Sequence, residues 1–114
     1  MIIEFSVGNF KSIRDVATIS FQKVKALKEP ALQNTFATDG YELVKSAVLY
    51  GANSSGKSNF LNAIGFYKWF VINSSKSTQK FEEININSFE LSDATKEEPS
   101  YFQSIFLIDN NRYR

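Results

Sequence analysis

Ile3, Phe5 and Val7 alternate with Glu4 and Ser6, and Ala17, Ile19 and Phe21 alternate with Thr18 and Ser20. A period of two over this length predicts two strands, each with one face buried. The intervening Gly8-Asn9-Phe10-Lys11-Ser12-Ile13-Arg14-Asp15 carries Gly, Asn and Asp where the chain must turn, so the opening reads as a hairpin with a basic connection. From Gln22 to about Leu43 the alternation weakens, and Pro30, Asn34 and Thr38-Asp39-Gly40 are turn signals, so no long element is expected there. Ala47-Val48-Leu49-Tyr50 is a short apolar run without polar alternation, the pattern of a strand buried on both faces of a parallel sheet.

Phe60, Ala63, Ile64, Tyr67 and Val71 follow at helical spacing, which predicts an amphipathic helix from Lys57 to about Val71, with Gly65 a weak point in it. The polar run from Asn73 to Lys80 predicts an exposed connection. Ile84, Ile86, Phe89 and Leu91 suggest one or two short strands between Phe81 and Leu91. Tyr101 to Ile108 is the strongest late strand, followed by the turn residues Asp109-Asn110-Asn111. Its hairpin partner is expected only to begin at Arg112-Tyr113-Arg114, leaving an open sheet edge. The fold class expected is α/β, a mixed sheet with N-terminal antiparallel strands and one helix after a phosphate-binding loop.

That loop carries the chemistry. Gly51-Ala52-Asn53-Ser54-Ser55-Gly56-Lys57-Ser58 matches G-x-x-x-x-G-K-[ST] in full, between an expected strand and an expected helix. Glycines at both ends let consecutive backbone N–H groups turn inward onto phosphate oxygens, and the helix starting near Lys57 adds free amides and the positive end of its dipole. Asn53 and Ser54 line the loop through their backbone, Lys57 reaches the β- and γ-phosphates, and the Ser58 hydroxyl is the expected Mg²⁺ ligand. ATP and Mg²⁺ are therefore the expected cofactors. Ile105-Phe106-Leu107-Ile108-Asp109 also looks like a strand ending in a metal-associated carboxylate. The half-polar Tyr101, Gln103 and Ser104, and Asn110 in place of a following Glu, favour a turn role for Asp109.

Composition narrows the chemistry further. The 114 residues are 43% hydrophobic and 15% aromatic, with eleven Phe, enough for one small core. Thirteen basic and twelve acidic residues give a net charge of +1, so no overall field draws the chain to nucleic acid or anionic lipid. With no Cys and no His, thiol nucleophiles, Cys/His zinc sites, disulfides and imidazole catalysis are excluded from this segment. There is no signal-peptide pattern and no apolar run near the roughly 20 residues of a membrane span, which points to the cytoplasm.

The opening Ile-Ile-Glu-Phe-Ser-Val-Gly-Asn-Phe-Lys-Ser-Ile, with Leu43 through Asn59 around the phosphate loop, resembles the amino-terminal end of an ABC-type ATPase head of the SMC/RecF-like group. It is most similar to the bacterial "AAA family ATPase" proteins related to OLD-type and abortive-infection ATPases. Ile86 to Leu91 and Pro99 to Phe102 are similar to the same group, so the resemblance spans nearly the whole chain. The resemblance implies that residues 1–114 are the N-terminal part of an ATP-binding domain and that the connection after the first strand helps hold nucleotide, which implicates Asn9, Lys11 and Ser12. Asn59 joins the binding set as the residue after the motif. It also implies homodimerisation of full-length heads around ATP and action on DNA or an effector protein. The Q-loop, signature motif, Walker B Asp-Glu and switch His of such ATPases have no clear counterparts here, so hydrolysis is expected to need regions beyond Arg114. Two other assignments stay open at this stage: a small-molecule P-loop kinase using Asp109 as metal partner, and a non-enzymatic fragment that associates through its sheet edges.

Overall fold

The structure, a computed structural model, describes residues 1–24, 34–38, 40–52, 55–74, 86, 88–89 and 91–114. Its elements are β1 (Ile2–Gly8), β2 (Ala17–Ser20), β3 (Thr35–Thr38), β4 (Tyr41–Val44), α1 (Lys57–Asn73), α2 (Asp93–Lys96), β5 (Tyr101–Ile108) and β6 (Asn111–Tyr113). It is an α/β fold with antiparallel sheets. One sheet has the order β2-β1-β5-β6 and a second pairs β3 with β4. No helix of the described residues is long and apolar enough to cross a membrane.

The chain divides into two compact units. The first comprises Met1–Ser6, Thr18–Tyr50 and Gln103–Arg114. Met1 and Leu107 exchange two backbone hydrogen bonds, of 2.7 and 2.8 Å, the reciprocal pair of an antiparallel ladder. On β1's other side the Phe21 N–H donates to Ile3 O, and the Ser6 and Thr18 hydroxyls lie 2.8 Å apart. Phe21 then accepts from the Val44 N–H, and Lys23 donates to Glu42 O, so the strand line running on from β2 carries β4 on its outer edge. Ile3, Leu43, Ile105 and Leu107 form the resulting core, with Phe36 and Tyr41 packed against it.

Strands form where the period of two placed them, but Ser6 is buried like Phe5 and Val7, so the later half of β1 is covered on both faces, and β2 ends at Ser20; β5 spans the residues read as the strongest late strand. Between Gln22 and Leu43, where no long element was expected, β3 pairs with β4, with Thr38 opposite Tyr41. Gly40 adopts φ +81°, which glycine takes without strain. At the other end, Asp109 and Asn110 both take left-handed φ (47° and 64°), and Asn111 already pairs with Ile108. The second hairpin strand is therefore present, Asn111 is a strand residue rather than a turn residue, and Asp109 fills the turn role.

Residues 47–50 correct the expectation of a doubly buried parallel strand. They form no strand, and Val48 and Tyr50 are 82% and 91% exposed. A strand buried on both faces needs hydrogen-bonded neighbours and covering layers, and among the described residues none pairs with this run. The mixed sheet expected around the loop is accordingly replaced by antiparallel pairings.

The second unit comprises Val7–Ala17 and Gly51–Phe102. Helix α1 buries Phe60 and Ala63, with Phe66, Tyr67 and Phe70 half-buried, so its packing stripe runs 60-63-67-70 and leaves Val71 exposed. Phe10 is buried at this unit's centre, its ring 5.4 Å edge-on from Phe102 and 6.1 Å from Phe66. The expected polar connection lies outside the described residues over 75–80. The strands expected between Phe81 and Leu91, Ile84 included, lie outside them over 81–85, 87 and 90; Ile86, Ser88, Phe89 and Leu91 are described and are not in strands.

Leu43 is fully buried among the first unit's strands. Leu43→Ala should lower stability by about 3 kcal/mol through lost burial and a residual cavity, measured by denaturant unfolding.

Candidate functional site

Helix α1 starts as a phosphate-binding helix would. Gly56 is its N-cap residue at φ 80° and ψ 9°, with no side-chain cap and no acidic residue in the first turn. The opening amides therefore point out of the helix end with the positive end of the dipole behind them. A Cβ on Gly56 would come within 3.2 Å of Ser12 Oγ, and one on Gly51 within 3.1 Å of Ser55 Oγ. Both glycines thus allow close backbone approaches that a side chain would fill, and Gly56 adds a left-handed conformation.

The loop is closed by its own atoms. The Ser55 N–H donates to Ala52 O at 3.0 Å, and Lys57 Nζ donates to Gly51 O and Ala52 O, each at 2.6 Å. Lys57 is half-buried and Ser58 exposed, one residue inside the helix. Asn53 and Ser54, assigned to the loop from sequence, lie outside the described residues.

The connection after β1 reaches the same helix end. Phe10 and Ile13 exchange two 2.9 Å backbone hydrogen bonds, leaving Lys11-Ser12 as the two turn residues. Asn59 Nδ2 donates to Ser12 Oγ at 2.7 Å. Ser12, Gly56 and Asn59 are therefore brought together. Lys11 sits at φ 51° with its ammonium 5.7 Å above the Phe10 ring. Left-handed backbone at a lysine costs about 1 kcal/mol and is held by the paired residues on either side.

Asn9 is corrected. Its side chain is not offered to a ligand: Nδ2 donates to Thr95 O (2.8 Å) and Glu98 O (2.7 Å), and Oδ1 accepts from the Phe89 N–H (3.0 Å). Its carbonyl accepts from the Ser100 hydroxyl at 2.6 Å, and its own N–H donates to Arg14 O at 3.0 Å. Asn9 is buried at φ 47°, a conformation that Asn tolerates better than most residues. Sequence reasoning missed this role because the partners are backbone groups some ninety positions away. The one local signal was an Asn in a turn after an apolar strand.

A separate cleft of about 270 Å³ is lined by Phe66, Tyr67, Phe70, Ile86, Ser100 and Phe102. It lies along the later turns of α1, and among the described residues none of 51–58 lines it.

Asn9→Ala should destabilise the protein by about 3 kcal/mol, because it strands one buried N–H and two carbonyls and places Ala in left-handed backbone; thermal and denaturant unfolding check this. Gly56→Ala should cost about 1–2 kcal/mol for the same backbone reason plus the approach to Ser12, read by thermal unfolding against Gly65→Ala. That glycine has open space around the added methyl and no positive φ, so its substitution should be neutral or stabilising.

The family model described as "AAA domain, putative AbiEii toxin, Type IV TA system" matches residues 46–114, from just before Gly51 through β6. No curated protein and no solved structure matches the chain. With well over half of the sequence inside that match, the chain belongs to this AAA-domain family of P-loop ATPases of the abortive-infection type.

Proposed function

We propose that residues 51–59 bind Mg-ATP, with the phosphates cradled by the loop and the first turn of α1. The observation that carries this is the uncapped start of a 17-residue helix on a left-handed Gly56, within a complete G-x-x-x-x-G-K-S stretch. Membership of an AAA-domain family supports a nucleotide as the ligand. The Lys57 ammonium is the cation for the β- and γ-phosphates, and the Ser58 hydroxyl is an oxygen ligand for Mg²⁺. The ion supplies charge neutralisation on the phosphates when bound. Asn53 and Ser54 contribute backbone amides, and Asn59, Ser12 and Lys11 form the polar border on the side of the β1 connection. The strained Lys11 backbone supports a role for its cation there.

Residues 1–114 act as the N-terminal part of an ATP-binding domain of the cytoplasm. Two complete heads pair around nucleotide and transmit the ATP state to DNA or an effector protein. Hydrolysis belongs to that completed assembly, so residues 1–114 alone bind nucleotide with negligible turnover.

Calorimetric titration of Mg-ATP into wild type and Lys57→Ala tests the assignment. Loss of charge-assisted contacts should weaken binding by about 2 kcal/mol, more than tenfold. Equal affinity for the two proteins would remove residues 51–59 as the nucleotide site.

A further inference from the structure

We propose that Asn9 is a positioning residue of the phosphate site: its carboxamide ties backbone groups of Phe89, Thr95 and Glu98 to the turn that carries Ser12, so the seating of Ser12 on α1, and with it nucleotide affinity, is set from that distant segment. The step from Ser12 to affinity rests on the nucleotide-site reading. The step from Asn9 to Ser12 rests on hydrogen bonds alone.

A carboxamide has two N–H donors and one carbonyl acceptor. In Asn9 all of them are engaged, with Thr95 O at 2.8 Å, Glu98 O at 2.7 Å and the Phe89 N–H at 3.0 Å. Its main chain is engaged as well: the carbonyl accepts from the Ser100 hydroxyl at 2.6 Å, and the N–H donates to Arg14 O at 3.0 Å. The Thr95 hydroxyl, 2.9 Å from both Phe89 O and Ser92 O, braces the same segment internally. Turning Asn9 in place would strand several of these groups at once, so its backbone is held in one orientation.

That orientation is carried to the tip of the turn. Three backbone hydrogen bonds close residues 9–14, one from Asn9 to Arg14 and two between Phe10 and Ile13. A turn this short, with Asn9 and Lys11 both in left-handed backbone, moves as a body rather than bending. Its tip presents Ser12 Oγ to Asn59 Nδ2 at 2.7 Å in the first turn of α1, and a Cβ on Gly56 would lie 3.2 Å from the same oxygen. Phe10, buried beside Phe66 and Phe102, fixes how deep the turn lies. Ring contacts tolerate a range of angles, whereas hydrogen bonds are directional. Asn9 therefore sets the angle at which Ser12 meets the helix end, without itself touching a ligand.

The test uses the intact 114-residue chain below its unfolding transition. Asn9→Gly removes the carboxamide and keeps a residue suited to left-handed backbone. Ser100→Ala is milder and removes only the hydroxyl on the Asn9 carbonyl. In the ligand-free protein, the Asn59 side-chain amide resonances, assigned by their loss in Asn59→Ala, should move in both variants toward their position in Ser12→Ala. They should stay in place in Leu43→Ala, which loses stability in the other unit. Unmoved resonances in Ser100→Ala and in folded Asn9→Gly, or an equal movement in Leu43→Ala, overturn the positioning; if Asn9→Gly does not fold, Ser100→Ala alone decides. By calorimetry, Asn9→Gly and Ser12→Ala should each weaken Mg-ATP binding about tenfold, and the double variant also about tenfold, because both remove one contact. A loss of roughly a hundredfold in the double variant overturns the route through Ser12. Equal Mg-ATP affinity in wild type and Asn9→Gly overturns the positioning alone. Moved Asn59 resonances with no Mg-ATP binding to wild type support the link from Asn9 to Ser12 and overturn the nucleotide site.

Discussion

The buried carboxamide of Asn9 organises the unit that holds residues 51–58. Three backbone groups from the segment 89–98 depend on its side chain, and the Ser100 hydroxyl depends on its carbonyl. Its left-handed backbone starts the turn whose two tip residues are Lys11 and Ser12. One residue therefore fixes both the backbone on either side of the short helix α2 and the turn tip that lies against Gly56 and Asn59. Buried polar groups with every partner supplied act as specific fasteners, because any other arrangement leaves them unpaired. In the same unit the rings of Phe10, Phe66 and Phe102 pack against one another. Rings alone could repack in several ways, but the carboxamide accepts far fewer.

The other unit obeys a different constraint, the pairing of antiparallel edges. Four strands and a short hairpin bring Ile3, Leu43, Ile105 and Leu107 to one core from distant parts of the chain. The apolar run 47–50 has the composition of a strand but no ladder partner among the described residues, and it stays exposed. Strand propensity is a statement about fit to a half-buried pleated surface. Without the surface, the same side chains have nowhere to go.

Several features were legible because their cause is local. The alternation around Ile3, Phe5 and Val7, the strand from Tyr101 to Ile108, and the helix after Gly56 follow from side-chain period and from glycine placement. The hairpin at Thr35–Val44 was legible in principle, since Asp39-Gly40 between alternating residues is a strong two-residue turn signal; its four-residue strands were too short to show a period. Asp109-Asn110 turned the chain one residue earlier than expected, with Asn111 entering β6. The helix face was read with Val71 in place of Phe66 and Phe70, because spacing alone does not say which of two overlapping apolar stripes meets a partner. The G-x-x-x-x-G-K-S pattern at 51–58 is read from residue type and spacing alone. The resemblance pointed to Ser12 and Asn9 as nucleotide contacts, but neither the hydrogen bond from Asn59 to Ser12 nor the hold of Asn9 on backbone groups was legible, since both join residues far apart in sequence.

The pairing of Met1 with Leu107 has a consequence for biosynthesis. Strand β1 leaves the ribosome about a hundred residues before its neighbour β5. At roughly 5–20 residues per second, the early strand waits several seconds with one long edge open. Its apolar residues Ile3, Phe5 and Val7 are meanwhile available to the wrong neighbour, including another nascent copy. Helix α1, whose backbone contacts lie within a few residues, is under no such delay. Helix α1 can therefore form before the sheet is closed.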